Sequence, residues 1–340
     1  MANLQAKNRL VKPFIPNSKI MFTLPLGGKI RRGMIALVGN VNATAGTTSG
    51  TMMGEGGPAN LIQRVIVTAT PAGGSRYPGG KIVDSDVRSL LRYAVTQRSG
   101  KFIGDLLGST LSAGAVANSS VYTAVPIYFA DASQKNTLLT ALNTDQLTSD
   151  GTPTYATVQV EIDTGSLASC FTGNDRTPDY SGLTLQWADE RVTVPGDTAV
   201  LYQESHVVQI PANNKRMLDE AMPQDGAFLS WQILGELSAQ KTLSDALLNR
   251  VVCAGQTLDF DKYAMDIRES DLADEWYDPS TTATGMYFID FTDGAVRANT
   301  VPAAGLQTYF DVNNVSGANL DDLNFFTRRL VPALPAKSTK

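Results

Sequence analysis

The sequence predicts an all-β protein built from antiparallel sheets packed face to face. Short runs in which apolar and polar residues alternate recur along the chain, as expected for strands with one buried face. The 29 glycines and 16 prolines gather between these runs, where turns are needed. Few segments have helical periodicity, and strands and helices do not alternate as in βαβ units. These observations favour antiparallel sandwiches over a parallel sheet.

Length and composition predict two globular domains. The 340-residue chain is longer than a typical single core supports. Hydrophobic residues make up 43% and charged residues 18%, which suits a packed core. We expect the boundary near 188–198, where Pro195, Gly196 and Asp197 interrupt the strands. Because no apolar run is long enough for a membrane span or a signal peptide, we expect a soluble product folded in a cytoplasm.

Basic residues are concentrated at the start of the chain. No acidic residue precedes Glu55, whereas seven basic residues do: Lys7, Arg9, Lys12, Lys19, Lys29, Arg31 and Arg32. The rest of the chain holds 21 basic and 33 acidic residues, so its charge is −12 against a total of −5. This asymmetry fits a basic arm that faces lipid headgroups or nucleic acid. A merely solvated terminus explains it equally well.

The arm at 1–18 combines apolar and basic residues with two prolines. Leu4, Leu10 and Val11 lie among the basic residues, and Pro13 and Pro16 follow. A short amphipathic turn fits before Pro13, and the prolines prevent its continuation as a helix.

Several segments of the first half are predicted as strands. A run rich in β-branched residues at 57–70 follows a Gly-Gly-Pro break, and the Pro71–Ser75 turn ends it. The other strands are predicted at 20–24, 34–38, 121–129, 158–162 and 183–187. The segments 42–57 and 169–182 are rich in turn residues and are predicted as surface loops.

The clearest helix is predicted after residue 84. Val87, Leu90, Leu91, Ala94 and Val95 form one apolar stripe at helical spacing. Asp84 or Ser85 is the expected N-cap, and Gly100 the expected end. Arg88, Arg92 and Arg98 lie off the stripe, where a solvated helix face is favoured over a phosphate site. A second, short helix is predicted around Leu138, Leu139 and Leu142.

The second half repeats this pattern without a repeat of the letters. Strands are predicted at 199–210, 227–235, 285–292 and 305–312. Helices are predicted near 240–250 and 258–276. Any duplication of the two halves must therefore be structural.

No catalytic or metal-binding motif stands out. The single histidine, His206, lies in a strand-like run, so a hydrogen-bonded sheet histidine is favoured over a catalytic base. Cys170 and Cys253 are far apart and are expected to be buried free thiols. The acidic residues Asp266, Glu269, Asp271, Asp274, Glu275 and Asp278 lack calcium-loop spacing and are interpreted as a solvated helix face. The sequence leaves open whether two carboxylates are paired for glycoside hydrolysis, because the distance between two side chains is not visible in a sequence. We expect no enzyme activity and no cofactor.

Three blocks resemble one viral family. The segment GPANLIQRVIVTAT at 57–70 resembles the corresponding stretch of the tectivirus-type major capsid protein, of the PRD1-like lineage. The segment at 121–145 and the closing run at 285–330, which includes LQTYFDVNN and NFFTRRL, follow in the same order. That family implies two consecutive eight-stranded antiparallel jelly rolls with a few short helices. We then expect a basic arm at 1–18, a first jelly roll at 19–190 and a second at 191–340.

The resemblance also implies a function. The family forms the shells of tailless, membrane-containing icosahedral phages from pseudo-hexagonal homotrimers. We therefore expect a bacteriophage capsid protein that is located in the virion and contacts itself, neighbouring trimers, penton and minor capsid proteins. Lys7, Arg9 and Lys12 would face inner-membrane headgroups or the genome, without sequence-specific nucleic-acid binding. The segments 42–57 and 169–182 are candidates for an outer tower. A carbohydrate-binding or hydrolysing β-sandwich protein, and a minor capsid or receptor-binding spike protein, are the alternatives.

Overall fold

A computed structural model gives the fold. It describes residues 4–5, 9–45, 51–52, 57–96, 119–130, 140–148, 151–173, 175–192, 199–212, 216–237, 242–255, 259–267, 284–291, 301–317 and 321–334. Most of these residues belong to β-strands, which confirms the predicted all-β class.

The described first half contains thirteen strands and one α-helix. The strands are β1 (Leu4–Gln5), β2 (Arg9–Pro13), β3 (Lys19–Thr23), β4 (Lys29–Ala45), β5 (Thr51–Met52), β6 (Ile62–Pro71), β7 (Gly80–Asp86), β8 (Ser119–Tyr128), β9 (Leu142–Asn143), β10 (Tyr155–Thr164), β11 (Phe171–Thr172), β12 (Thr177–Asp179) and β13 (Leu183–Val192). Helix α1 covers Val87–Thr96, and short 3₁₀ helices cover Gly57–Leu61 and Leu167–Ser169.

The described second half contains ten strands. They are β14 (Ala199–Gln209), β15 (Arg216–Leu218), β16 (Ala227–Leu237), β17 (Thr242–Leu243), β18 (Leu248–Ala254), β19 (Asp259–Tyr263), β20 (Met286–Asp290), β21 (Val301–Pro302), β22 (Gln307–Val312) and β23 (Asp322–Pro332). A single α-helical turn at 264–267 directly follows β19.

Eight strands in each half form two four-stranded sheets of identical topology. Sheet I holds the first, eighth, third and sixth of these strands, and sheet II the second, seventh, fourth and fifth. In the first roll, sheet I is β2-β13-β4-β8 and sheet II is β3-β10-β6-β7. In the second roll, sheet I is β14-β23-β16-β20 and sheet II is β15-β22-β18-β19. This order is that of the jelly roll, so the fold is a double jelly roll.

The two rolls share one continuous sheet. Strand β7 of the first roll pairs in parallel with β14 of the second, through Val83 with Gln203 and Asp84 with Glu204. Sheet II of the first roll and sheet I of the second thereby merge into a ten-stranded sheet. All pairings inside the rolls are antiparallel.

Each roll buries a hydrophobic core between its two sheets. In the first roll, Val158, Val160 and Ile162 of β10 are fully buried, as their alternation with polar residues predicts. Trp187 lies flat over Gly33, where an added Cβ would stand 2.2 Å from the indole. In the second roll, Trp231, Phe310 and Phe325 occupy the centre.

Sheet I of the second roll is buried on both faces. Phe325 of β23 belongs to the second core, whereas its neighbour Phe326 belongs to the first. Likewise, Ile233 and Leu234 of β16 point into different cores. The outer face of this sheet is therefore covered by the first roll.

Several local predictions were wrong. The amphipathic turn expected before Pro13 is strand β2, because the edge of β13 offers it hydrogen-bond partners. The helix predicted at 240–250 is replaced by β17 and β18. Of the helix predicted at 258–276, residues 259–263 form β19, residues 264–267 are helical as predicted, and the rest lies outside the described residues. These segments are strands because β17 pairs with β16 and β18 pairs with β22, and local periodicity gives no sign of such long-range pairing. The loop predicted at 42–57 begins as the end of β4, and Gly57–Leu61 is a 3₁₀ helix rather than strand.

Other predictions fall outside the described residues. These are Leu138 and Leu139 of the predicted short helix, the helix end at Gly100, and Arg98; Leu142, also assigned to that helix, lies instead in strand β9. Strand β13 ends at Val192 and β14 begins at Ala199, on either side of the expected boundary. The division into 1–18, 19–190 and 191–340 stays a prediction, and β2 places part of the expected arm in sheet I of the first roll.

Candidate assembly surfaces

The predicted basic arm is partly built into the first roll. Arg9 lies on β2 and donates a hydrogen bond from Nε to Oε1 of Gln186, at 3.0 Å. The Nζ atom of Lys12 lies 5.7 Å from the centre of the Phe22 ring. Lys7 lies outside the described residues. The two described arm cations thus contact an amide and an aromatic ring.

Other basic residues near the N-terminus meet acids from distant parts of the chain. Nζ of Lys19 lies 2.5 Å from Oε1 of Glu161. Arg31 and Arg32 both pair with Glu190, at 3.4 and 3.0 Å. The excess of basic residues at the start of the sequence is therefore partly neutralised in the folded chain by acidic residues from later segments.

The first and last described residues, Leu4 and Leu334, and the described parts of the predicted tower segments lie at opposite ends of the first roll. Leu4 pairs with Val192 at the end of β13, and the Leu334 amide donates to the carbonyl of Arg76 in the β6–β7 turn. At the other end, β5 pairs with β11, and the end of β4 pairs with β12. The structure thus brings the segments 42–57 and 169–182 together, away from both termini.

Helix α1 forms the main polar contact between the rolls. At its N-terminus, the Ser89 amide donates to Oδ1 of Asp86 at 3.0 Å, so Asp86 is the cap instead of the expected Asp84 or Ser85. Asn324 of the second roll donates to Oδ2 of Asp86 at 2.9 Å, and the Asp86 amide donates to Oγ of Ser205. Burial raises the pKa of Asp86, but the charge of Arg88 and the hydrogen bonds from Ser89 and Asn324 outweigh it, so the pKa lies below its ordinary value.

Arg88 of α1 faces the second roll, and Arg92 does not face solvent. Nη1 of Arg88 lies 2.8 Å from Oε1 of Glu236, whose side chain is 1% exposed. Arg92 is buried. One turn further, Tyr93 packs against Phe326 at 5.8 Å between ring centres, and the guanidinium of Arg328 stacks on Tyr93 at 4.2 Å. The prediction of a solvated arginine face was wrong, because sheet I of the second roll covers this side of the helix.

The equivalent outer face of sheet I in the first roll is largely apolar. Its outward residues on β2, β13 and β4 are mostly half-buried or exposed, whereas Pro126 and Tyr128 of β8 are buried and Tyr128 packs against Tyr93 of α1 at 6.1 Å between ring centres. Two cross-strand rows form its centre: Val11, Gln186, Ala36 and Ala124, then Arg9, Ala188, Met34 and Pro126. Val11 is 52% exposed, and Tyr122 beside these rows is also exposed. Because alanines occupy the centre, this face is flat.

The outer faces of sheet II carry alternating charges in both rolls. In the first roll, the second, seventh, fourth and fifth strands present Lys19, Asp163, Arg64 and Asp84. In the second roll, the same strands present Arg216, Asp311, Arg250 and Asp261. Hydrogen bonds from the neighbouring arginines lower the pKa values of Asp311 and Asp261. Each roll thus has one charged outer face, that of sheet II.

His206 is a structural residue of the second roll. Its Nε2 lies 2.9 Å from both carboxylate oxygens of the buried Asp219, and its ring packs edge-on against Phe325. This confirms a hydrogen-bonded sheet histidine. Cys170 and Cys253 are free and buried, as expected.

The described residues contain no arrangement of three or more histidine, cysteine or acidic side chains suited to a metal ion. Of the predicted acidic run, only Asp266 belongs to the described residues, where it is exposed. No helix among these residues combines the length and apolarity needed to cross a bilayer.

Comparisons with known proteins identify the architecture. No protein-family model and no curated protein sequence matches the chain. The STIV major capsid protein matches with a TM-score of 0.66 and 11% identity over 96% of both chains. The PBCV-1 virus capsid matches at 0.61 and 11% identity over 97% of this chain and 94% of that one. The fold is that of the double jelly-roll capsid proteins.

A third double jelly-roll match is the major capsid protein P2 from bacteriophage PM2. Its TM-score is 0.54 at 12% identity, over 98% of this chain and 99% of that one. Identities this low establish the double jelly-roll fold and no more.

The outer faces of the sheets were not identified from the sequence, although the alternation of Met34, Ala36 and Val38 with buried Ile35 and Leu37 already separates the two faces of β4.

Proposed function

We propose that the chain is the major subunit of an icosahedral virion shell. The observation that carries this proposal is the double jelly roll across nearly the whole chain, which it has in common with viral capsid proteins over 94–99% of their length. In this role the chain assembles as a pseudo-hexagonal homotrimer, and trimers contact one another and the penton and minor capsid proteins. The protein is synthesised in the host cytoplasm, becomes part of the virion of a bacteriophage and is not an enzyme.

The apolar outer face of sheet I supports self-association. The flat face around Ala36, Ala188 and Met34 leaves apolar surface partly exposed to water. Burying this surface against another copy would stabilise the protein. Obligate interfaces of this kind typically bury more than about 2,000 Å² and derive most of their strength from apolar contact.

The arrangement of the chain ends supports an orientation in the shell. We place the end that carries Leu4 and Leu334 inward, towards the headgroups of an internal membrane, and propose that Lys7, Arg9 and Lys12 face this membrane, although β2 sets Arg9 opposite Ala188 and Lys12 further from that end, opposite Leu185. The paired segments 42–57 and 169–182 then point outward as the tower. Each basic residue near an anionic surface contributes about 1 kcal/mol.

The oligomeric state tests the central claim. Light scattering of the purified chain should give a concentration-insensitive trimer near 109 kDa, three times the chain mass of 36.4 kDa. Electron microscopy of assembled particles should show pseudo-hexagonal units. A monomer throughout the micromolar range would contradict the proposal.

A charge variant tests the membrane-facing arm. Replacing Lys7, Arg9 and Lys12 by glutamine should leave the trimer intact and weaken binding to anionic vesicles roughly a hundredfold, because about 3 kcal/mol of attraction is lost. The matched control replaces Lys81, Arg64 and Arg216, which lie on the charged outer faces. Equal vesicle binding by both triple variants would rule out a specific role for the arm.

A further inference from the structure

The same row of charges lies at equivalent positions on sheet II of both rolls. On the second, seventh and fourth strands of each roll, the residues that stand directly opposite one another are Lys19, Asp163 and Arg64 in the first roll, and Arg216, Asp311 and Arg250 in the second. The fifth strand adds an acid one row further along, diagonal to the arginine and paired with it: Asp84 in the first roll and Asp261 in the second. Both charged rows therefore alternate in sign and begin with a cation.

The row beside each charged row matches as well. Its second-strand position exposes a large apolar side chain in both rolls, Met21 at 43% and Leu218 at 41%. Its fourth-strand position holds Ile66 or Val252, directly opposite the fifth-strand acid. Cross-strand ion pairs stabilise a sheet whichever strand carries the cation. The same order of sign in both rolls is therefore more than the fold requires, and it points to a role outside the chain.

The charged rows are accessible and internally paired. The side chains of Lys19, Arg64 and Arg216 are 64%, 44% and 57% exposed. Each charge has a partner of opposite sign within its own row. A second surface that approached would thus cover ion pairs, and covering a pair costs less than covering a single unpaired charge.

An alternating row of four charges is complementary to a copy of itself. When two such rows face each other across a two-fold axis that runs along the strands, the first position meets the fourth and the second meets the third. Lys19 then faces Asp84 of the other copy, and Asp163 faces Arg64. Because the second roll has the same order of sign, its row is complementary both to itself and to the row of the first roll.

We propose that these charged rows join neighbouring trimers across two-fold axes parallel to the strands, row against row, whichever roll presents them. The inference rests on the proposed function, since it names the surface through which assembled trimers contact one another. A trimer carries one row on each of its rolls, so all sides of the pseudo-hexagonal unit are electrostatically equivalent. Trimers can then pack side by side even when one is turned by the width of a roll.

Energy transfer between separately labelled trimers measures this contact. A donor or an acceptor dye is attached at Leu147→Cys, since Leu147 is 58% exposed and the native thiols are buried. Donor and acceptor trimers should show transfer at about 0.01 M ionic strength and lose it at about 1 M, because the Debye length falls from about 30 Å to about 3 Å. No transfer at the lower ionic strength, or transfer that salt does not change, would overturn the proposal.

Two double variants change the sign of one central position in every row. Arg64→Glu with Arg250→Glu sets acid against acid across the axis, and Asp163→Lys with Asp311→Lys sets base against base. Each variant alone should associate at least roughly tenfold more weakly, because like charges then face each other. A mixture of the two should regain the wild-type level, because acid then meets base.

The matched control adds the same charge at exposed positions outside the rows. Asp175→Lys with Asp225→Lys changes one acid in each roll, as the basic double variant does. This control should associate as the wild type does. An equal loss in the control would show that net charge, and not the rows, governs the contact.

The four central substitutions combined in one chain give an independent readout. The central acid and base of each row are then exchanged, so the combined variant is complementary to itself and not to the wild type. It should show transfer with its own kind and at least roughly tenfold weaker association with wild-type trimers.

The outcomes separate this inference from the proposed function. All variants should keep the mass of a trimer in light scattering, because the changed side chains lie on outer faces. A mixture that stays unassociated, a combined variant that binds the wild type or fails to bind itself, or a variant that is no longer a trimer would overturn the rows as the contact and leave the capsid role standing. A monomeric wild type would instead contradict the proposed function.

Discussion

Asp86 connects three elements through one carboxylate. It caps α1 through Ser89, accepts a hydrogen bond from Asn324 of the second roll and lies beside Arg88. These partners hold its pKa below the ordinary value of 3.8 despite burial. The ionised carboxylate is therefore part of the contact between the rolls.

Acid should weaken the protein partly through Asp86. Because the pKa of Asp86 is lower in the folded chain, its ionised form contributes stability above pH 3.8, and this contribution is lost as the pH falls through the folded value. Asp86→Asn should lower the unfolding free energy at pH 7 and flatten its decline below pH 4. Chemical denaturation from pH 7 to pH 2 measures both. Parallel pH profiles for variant and wild type would show that Asp86 does not contribute.

Individual residues show where sequence reasoning stops. His206 was recognised as structural because a single histidine lacks catalytic partners, but Asp219, which holds it, was not identified. Arg88 and Arg92 were assigned to solvent because they lie off the apolar stripe of α1. The partner of Arg88, Glu236, belongs to a roll more than a hundred residues away, and helical periodicity carries no information about such a partner.

At the scale of elements, α1 acts as a connector with two different sides. Its apolar side fills the first core through Val87, Leu90 and Leu91, and its polar side meets sheet I of the second roll. Glu236 on that sheet is buried and depends on Arg88 for compensation of its charge. The ion pair is thus part of the contact between rolls rather than a surface feature.

Two arginine variants should separate buried from exposed ion pairs. Arg88→Ala should destabilise the chain by about 2 to 3 kcal/mol, because it leaves the Glu236 carboxylate buried without its cation. Arg64→Ala, the matched control, removes a pair with Asp84 on an exposed face and should cost at most about 1 kcal/mol. If urea unfolding showed the same loss of unfolding free energy for both variants, the Glu236 carboxylate would be in contact with water instead of buried.

Strands with one wet face could be read from the sequence, and strands buried on both faces could not. Alternation predicted β10 and β13, because their outward residues are polar or half-exposed. In β23, Asn324 and Arg328 share a buried face with Phe326, so no simple alternation remains. β18 was predicted as a helix, because only its pairing with β19 and β22 shows that it lies inside a sheet. The assembly surfaces depend on the same long-range pairing.

On the scale of the whole molecule, the two rolls are structurally interdependent. Met286, Phe288 and Phe326 of the second roll belong to the hydrophobic core of the first. Removing the first roll would expose them on the outer face of a sheet that is buried on both sides. The repeated topology therefore does not imply independent folding.

We expect the chain to unfold as one cooperative unit. Far-ultraviolet circular dichroism, which follows the sheets, and fluorescence from the three tryptophans, of which Trp187 and Trp231 lie one in each core, should report coincident transitions. An isolated fragment at 199–340 should be insoluble or bind hydrophobic dyes. Two separate transitions, or a soluble fragment that binds no dye, would contradict this expectation.

The parallel pairing between β7 and β14 determines where the chain would extend first under mechanical tension. Two residue pairs join these strands, whereas eleven pairs join β14 to β23 in the same sheet. Tension across the ten-stranded sheet would therefore concentrate at this narrow crossing, with α1 carrying force in parallel. Under such tension the chain would extend first at the seam between β7 and β14, while both sandwiches keep their shape.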